Sequence, residues 1–477
     1  MTARRVAIVG GGLTGLATAW HLRDDVEVEV FEAASRVGGQ IHTIELAGEP
    51  LDVGADAFLA RQPEAERLAR EVGFGDDDMV APATGQVWLW LRGRLRPLPA
   101  ATVLGVPAQL RPLARSGVLR PAELARAAVE PLLPRRHVPG DRSVADLVGE
   151  RFGPAVVDRL VEPLLAGVYA GNAGSLSAQA AAPPVWSAAR EHRSLLRGLA
   201  AHRERAVGDD RPVFKTLRGG LGTLTDRLAD ELGAQVRVGT AIRGLAHDGR
   251  RWRVRLDTGA EPFDAVVLAV PAAVAADLLA STLPEVAREL AGIRSASVGV
   301  VALAYDPRDA QRVPPGSGIL VPRSEGRLVK AVTVSSRKWP HQAAPDRFVL
   351  RASVGRVDDP GALSLDDDEV LERVDAEVRW ALRLARPARE RRLVRWPAAL
   401  PQYDVGHHAR LDRIRTHLET EAPAGLHLGG AAFDGVGLAA RARDASRLAE
   451  EVRAVTVPGA AERGAPPAVR SPAPREH

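Results

Sequence analysis

The chain has no cysteine among its 477 residues. Disulfides, thiolate nucleophiles and cysteine-ligated metals are therefore excluded, and no metal site is expected. The absence suits a reducing cytoplasm. Lysine is nearly missing as well, occurring only at Lys215, Lys330 and Lys338. Almost all positive charge is arginine, along the whole length. A codon bias toward Arg, Ala, Gly and Pro accounts for this, and selection of guanidinium groups for carboxylate recognition is the functional alternative. The net charge is only +4, which argues against a nucleic-acid partner. No secretory leader is visible, because the first residues run straight into Val6-Ala7-Ile8-Val9, too short for an apolar leader core. No stretch reads as a spanning helix. Residues 163–189 are uncharged but broken by Pro163, Pro183, Pro184 and several glycines, and residues 265–276 are short and interrupted by Pro271. No repeat of fixed period stands out.

What the chain does have is length and a nucleotide-binding start. Its length suits two or three domains. Hydrophobic residues make up 45%, enough to enclose a large cofactor. Val6-Ala7-Ile8-Val9 reads as a buried parallel strand. Gly10, Gly11, Gly12, Leu13, Thr14 and Gly15 follow, then a helical run, then a second strand over 26–31 that ends at Glu32. The spacing is G-x-G-x-x-G inside a βαβ unit. Gly10 permits the tight turn, Gly12 admits a pyrophosphate, and Gly15 lets the helix pack on the strand. The helix N-terminus favours the negative phosphates, and Glu32 stands where an acid bonds ribose hydroxyls.

The residues that follow select FAD over NAD by resemblance. Glu32-Ala33-Ala34-Ser35-Arg36-Val37-Gly38-Gly39-Gln40 resembles the flavin amine oxidase superfamily, in which the arginine and the glycine pair help wrap FAD. Gly54-Ala55-Asp56-Ala57 resembles the segment beside the flavin ring, although the serine common there is absent. Ile242 falls where relatives hold the adenine through backbone groups. Trp396 resembles an aromatic residue near the flavin, with core packing as the alternative. Val436, Gly437 and Leu438 resemble the C-terminal flavin contact.

Further motifs narrow the resemblance. Glu162-Pro163-Leu164-Leu165-Ala166-Gly167-Val168-Tyr169-Ala170-Gly171-Asn172 is similar to the porphyrinogen oxidase signature E-P-x-x-x-G-V-Y-A-G-(D/N). Leu217-Arg218-Gly219-Gly220-Leu221, Lys338-Trp339-Pro340-His341, and Pro401-Gln402-Tyr403-Asp404-Val405-Gly406-His407 match further elements in the family's order. The resemblance runs from about 5 to 455 and is to the soluble bacterial branch of protoporphyrinogen and coproporphyrinogen oxidases. Two departures stand out. Ala439-Ala440-Arg441 replaces the usual Pro-Asp-Cys, and Gln86-Val87 stands where some relatives place an arginine for a substrate propionate.

The resemblance implies an α/β fold. A Rossmann-like FAD-binding domain of the flavin amine oxidase type is expected from 1–75, 206–290 and 406–455. A mainly helical domain is expected over 76–205 and a mixed-sheet substrate domain over 291–405, with a disordered tail over 456–477. Residues 97–110, uncharged and flanked by arginines, suit a buried core segment better than a peripheral membrane contact. The implied chemistry is three two-electron oxidations of a porphyrinogen. Each moves a hydride from a meso carbon to the flavin and a proton from a pyrrole nitrogen, and oxygen accepts the electrons to give peroxide. Coproporphyrinogen III, the more polar substrate, is preferred over protoporphyrinogen IX, and the protein is expected in haem biosynthesis in the cytoplasm. A haem-pathway enzyme partner and peripheral membrane contact are further expectations. Gly167 is expected to align substrate through its carbonyl, and Leu320 to pack on the tetrapyrrole or simply in the core. His341 and His407 are bases by residue type, though structural roles are favoured. Rival readings are another flavin enzyme, such as an amine oxidase or desaturase, and a non-catalytic binder of the same fold.

Overall fold

The computed structural model describes residues 4–135, 137–205, 211–359 and 361–457. Residues 458–477, and with them nearly all of the expected disordered tail, lie outside the described residues. The last helix runs from Leu438 to Thr456, so Thr456 closes it.

Five parallel strands form the nucleotide-binding sheet: Val236–Arg237, Glu27–Phe31, Arg5–Val9, Ala265–Leu268 and Leu426–Leu428, in that spatial order. The apolar run at 6–9 is continuous because the sheet is covered on both faces. Val6 and Ile8 enter a core formed with the helix Leu13–Leu22 and the last helix. Ala7 and Val9 enter a second core, with Trp252 and Phe263 of a three-stranded antiparallel sheet.

A seven-stranded mixed sheet forms the second layer. Its spatial order is Glu390–Pro401, Ser295–Tyr305, Phe348–Val354, Val329–Thr333, Gly318–Leu320, Val87–Leu91 and Arg94–Pro97. The last two strands correct the expected boundary. These two strands form a hairpin inside the span expected to be mainly helical, 76–205, yet Val87 and Leu89 pair with Gly318 and Leu320, so the hairpin extends the sheet of residues 291–405. The cause is side-chain burial: Leu89, Trp90 and Leu91 are all buried, which an isolated hairpin could not achieve. Ile319 and Val321 face a core under the helix Asp367–Leu382, whereas Leu320 faces the helical unit. That unit includes Leu110–Ser116, Pro121–Ala128, Val144–Phe152, Glu162–Tyr169, Pro183–Glu191 and Leu195–Arg205. Within 97–110, Val106 and Ala108 pack into its core. Among the described residues no helix is long and apolar enough to cross a membrane.

Candidate functional site

Gly10 turns the chain with φ +108°, a conformation that favours glycine. A Cβ there would sit 2.5 Å from the Ala269 carbonyl oxygen. A methyl at Gly15 would collide with the carbonyl of Gly10, so this glycine sets how closely helix and strand approach. Gly12 differs, since a Cβ there would meet nothing within 4 Å. The space before it lies at the N-terminus of Leu13–Leu22, which has no side-chain cap. The Thr14 hydroxyl beside it is buried without a partner among the described residues. An open cradle, uncapped amides and an orphaned hydroxyl fit a pyrophosphate. Glu32 accepts from the Gly11 and Ala34 amides, both at 2.8 Å. Its remaining lone pairs lie at the strand's carboxyl end, where ribose hydroxyls would bind. Ala33 sits in the same turn. Thr240 N–H donates to the Glu32 carbonyl at 2.8 Å and Gly239 N–H to that of Ala34 at 2.7 Å, which brings Ile242 alongside.

From the cradle the chain leads toward a second region. Gly39 lies against Gly12, its Cβ position 3.3 Å from the Gly12 Cα. Arg36 spends its guanidinium on carbonyls, those of Val37 at 2.9 Å, Gly39 at 2.8 Å and Ile41 at 3.2 Å, so it shapes the loop. The Gln40 carbonyl accepts from Ala55 N–H at 3.2 Å and leaves no room for a side chain at Gly54. Trp396 donates from Nε1 to the Val53 carbonyl at 2.9 Å, and its ring edge would be 3.4 Å from a Cβ on Gly54. Asp56 follows, held by Lys338 Nζ at 2.7 Å and Arg351 at 3.1 Å. Burial pushes its carboxyl up, but the two cations outweigh this and hold it down to about 2. Arg351 also donates to the carbonyls of Asp52 and Gly54, at 2.8 and 3.0 Å. At the chain's other end, Val436 leads into Gly437, the uncapped N-terminus of the last helix before Leu438. A Cβ on Gly437 would also meet open space. Two helix N-termini, at Gly12 and Gly437, therefore lack a side-chain cap and leave space where a Cβ would stand.

The third region is the G-V-Y-A-G helix, Glu162–Tyr169. Its first carboxylate reaches past its end and accepts from Ala173 N–H at 2.7 Å, closing the loop. Burial raises the Glu162 carboxyl, partly countered by that amide. Gly167 and Val168 are exposed. A Cβ on Gly167 would stand 3.8 Å from Leu320 Cδ2, so the helix and the mixed sheet bring these two expected substrate residues face to face. Ala170, left-handed at φ +49°, ends the helix and packs with Val298 and Trp396. Trp396 thus joins the Gly167 helix to the Gly54 segment.

The two histidines take structural places. His407 stacks on Tyr403 at 4.5 Å and 20°, and burial pushes its pKa down to about 4, so it is neutral at physiological pH. Tyr403 donates to the Ala431 carbonyl, Gln402 Nε2 to the Tyr169 carbonyl at 2.8 Å, and the Gly406 amide to Asp141 at 2.9 Å. This motif ties the helical unit, the mixed-sheet unit and the nucleotide-binding sheet together. His341 is depressed by burial and by Arg218 and sits in a short turn whose Gln342 donates to the Pro50 carbonyl at 3.1 Å. Sequence reasoning missed the Lys338–Asp56–Arg351 triad. The signal was present in the scarcity of lysine: a chain that uses arginine almost everywhere keeps Lys338 here.

The match of residues 13–449 to the family model of flavin containing amine oxidoreductases agrees with this geometry, and the chain belongs to that family. Its cradle is that of an FAD-containing oxidoreductase. Among curated proteins it is 37% identical to the coproporphyrinogen III oxidase of Mycobacterium tuberculosis, over 95% of this chain and 98% of that one. It is 32% identical to the coproporphyrinogen III oxidase of Bacillus subtilis, over 91% and 95%. A crystal structure from Exiguobacterium sp. superposes with a TM-score of 0.84 at 30% identity, covering 95% of this chain and 99% of that one.

Proposed function

We propose that this chain oxidises coproporphyrinogen III to coproporphyrin III, with FAD as hydride acceptor and oxygen as the final oxidant, yielding peroxide. The observation that carries the reading is the juxtaposition of Gly167 and Leu320, joined through Ala170 and Trp396 to the Gly54–Ala57 segment. When bound, FAD supplies two-electron acceptance that side chains lack. The protein's own task is then to bind, orient and exclude water. Gly167 and Val168 present a backbone edge and an apolar side chain, and Leu320, in contact range of Gly167, extends that apolar surface, against which a flat macrocycle would lie. Trp396 holds the Val53 carbonyl and with it the Gly54–Ala57 segment. Asp56, within that segment and held anionic by Lys338 and Arg351, places fixed charge there that needs no reorganisation during reaction. The residues named earlier as cofactor-binding, from Gly10 to Gly15, Glu32, Ala33, Arg36, Gly39, Gln40, Gly54 to Ala57, Ile242, Trp396 and Val436 to Leu438, form the lining in this reading.

The test is direct. The purified protein should carry a flavin absorbance band. Under air it should convert coproporphyrinogen III to a fluorescent porphyrin, with peroxide formed, faster than protoporphyrinogen IX. A preference for protoporphyrinogen IX would move the substrate one step along. Failure on both with full FAD occupancy would overturn the reading.

A further inference from the structure

Arg441 is the fourth residue of the last helix, its amide bonded to the Gly437 carbonyl at 3.1 Å. It closes the Ala439-Ala440-Arg441 stretch. One terminal nitrogen donates to Gln40 Oε1 at 3.1 Å, while its Nε is buried with no partner among the described residues. No carboxylate pairs with it there either. The nearby Asp444 is committed elsewhere, to the Gly430 amide at 2.6 Å and to Arg447. Burial disfavours the charged form of Arg441, opposed by Tyr403 and Asp444. A partly buried guanidinium with one bond and a buried, orphaned Nε donor is favoured by an anion that completes it. Its surroundings say where that anion lies. Gln40 bridges from the Gly38-Gly39 turn to Ala55 through its carbonyl and to Ala399 through its amide. Gly437, one turn before Arg441, ends the helix without a side-chain cap and faces open space.

We propose that Arg441 is a cofactor-facing cation, holding an anionic part of bound FAD: the pyrophosphate, or the N1–C2=O edge of the reduced ring. The inference rests on family membership for the flavin and not on the porphyrinogen substrate. Arginine suits the role because its planar fork can bond Gln40 and the anion together.

The test uses the holoprotein and the variants Arg441→Gln and Arg441→Lys. FAD release is followed by fluorescence after dilution, the midpoint potential by dye equilibration, and the sulfite adduct by titration. For a pyrophosphate contact, Arg441→Gln releases FAD about tenfold faster, the loss of one charge-assisted bond, with the potential unchanged. For a ring-edge contact, the reduced form is weakened about tenfold relative to the oxidised, about 30 mV for a two-electron couple, and the sulfite adduct weakens in parallel. Arg441→Lys, which keeps the charge but loses the fork, falls between. If Arg441→Gln does not fold, Arg441→Lys decides, because it must still move release or potential by about threefold. Parent-like values in every folded variant overturn the proposal. A parent protein purified without flavin would instead overturn the cofactor reading itself.

Discussion

The cradle at Gly10–Gly15 and the cleft at Gly167 solve opposite problems. In the cradle, four glycines stand within six residues, and three of them answer demands from the chain itself: Gly10 against Ala269, Gly11 against Glu32, and Gly15 against Gly10, while Gly12 meets nothing. In the cleft, Gly167 meets only Leu320 Cδ2, at ordinary contact distance, and the residues that define the space lie far apart in sequence. The first region is constrained by its own backbone, and the second by contacts between elements distant in sequence.

That contrast can be broken at its strongest point first. Gly15→Ala forces a methyl onto the Gly10 carbonyl and should cost about 3 kcal/mol or more, seen as a large fall in Tm and loss of flavin. Gly12→Ala, with free space around its Cβ, should keep the parent's Tm as apoprotein yet lose FAD affinity. If the two variants behave alike, the distinction between a glycine for the chain and a glycine for the ligand fails. Next in size, Gly167→Val should leave flavin content and Tm unchanged but lower kcat/KM for porphyrinogen oxidation on the order of 100-fold, the cost of displacing a bound reactant by about 1 Å. A fall in flavin content instead would show that the two regions are not separable.

Smaller effects sharpen the boundary between them. Lys338→Met leaves Asp56 with Arg351 alone and should cost about 2 kcal/mol of stability, while its carboxyl rises from about 2. Thermal unfolding at neutral pH measures the first, and the pH dependence of the flavin spectrum the second. The subtlest test is Asp52, at the end of the strand Glu49–Asp52 that leads into Gly54–Ala57. Burial raises its carboxyl to about 7, against the Thr43 hydroxyl at 2.5 Å, the Leu221 amide at 2.9 Å and the charge of Arg351, with Asp56 adding to the rise. Because the folded value lies above the ordinary 3.8, the folded state binds the extra proton. Its contribution to stability is complete below 3.8 and is lost as pH rises through about 7. Tm should therefore fall across that window, and Asp52→Asn should flatten the fall.

How much of this was legible in the sequence follows from the same contrast. Gly10, Gly12, Gly15 and Glu32 could be read because their constraints are local and the strand–turn–helix pattern is contiguous. Both faces of 6–9 are buried, so the strand appears as an unbroken apolar run. Gly167 and Leu320 were each legible only through family resemblance, since nothing local says that a helix and a strand 153 residues apart meet. The hairpin at 87–97 was misplaced for the same reason, because its partner, Gly318–Leu320, is distant. Lys338 and Arg351 were invisible as partners of Asp56, and Arg441 looked like a neutral departure until its orphaned nitrogen was placed. Local steric rules are written in spacing, while charge pairing across the fold is not.

The order of strands in the nucleotide-binding sheet bears on how the protein is born. Arg5–Val9 at its centre pairs with Ala265–Leu268, and the edge is supplied by Leu426–Leu428. A ribosome adding roughly 5–20 residues per second needs roughly 20–90 s to deliver that edge. Until then the glycine loop is synthesised but has no finished floor, and the second helix N-terminus, at Gly437, does not yet exist. Capture of the cofactor is therefore a late event, after nearly the whole chain has emerged. Expression in flavin-poor cells should burden chaperones with an almost complete, unfilled polypeptide rather than with a stable N-terminal fragment.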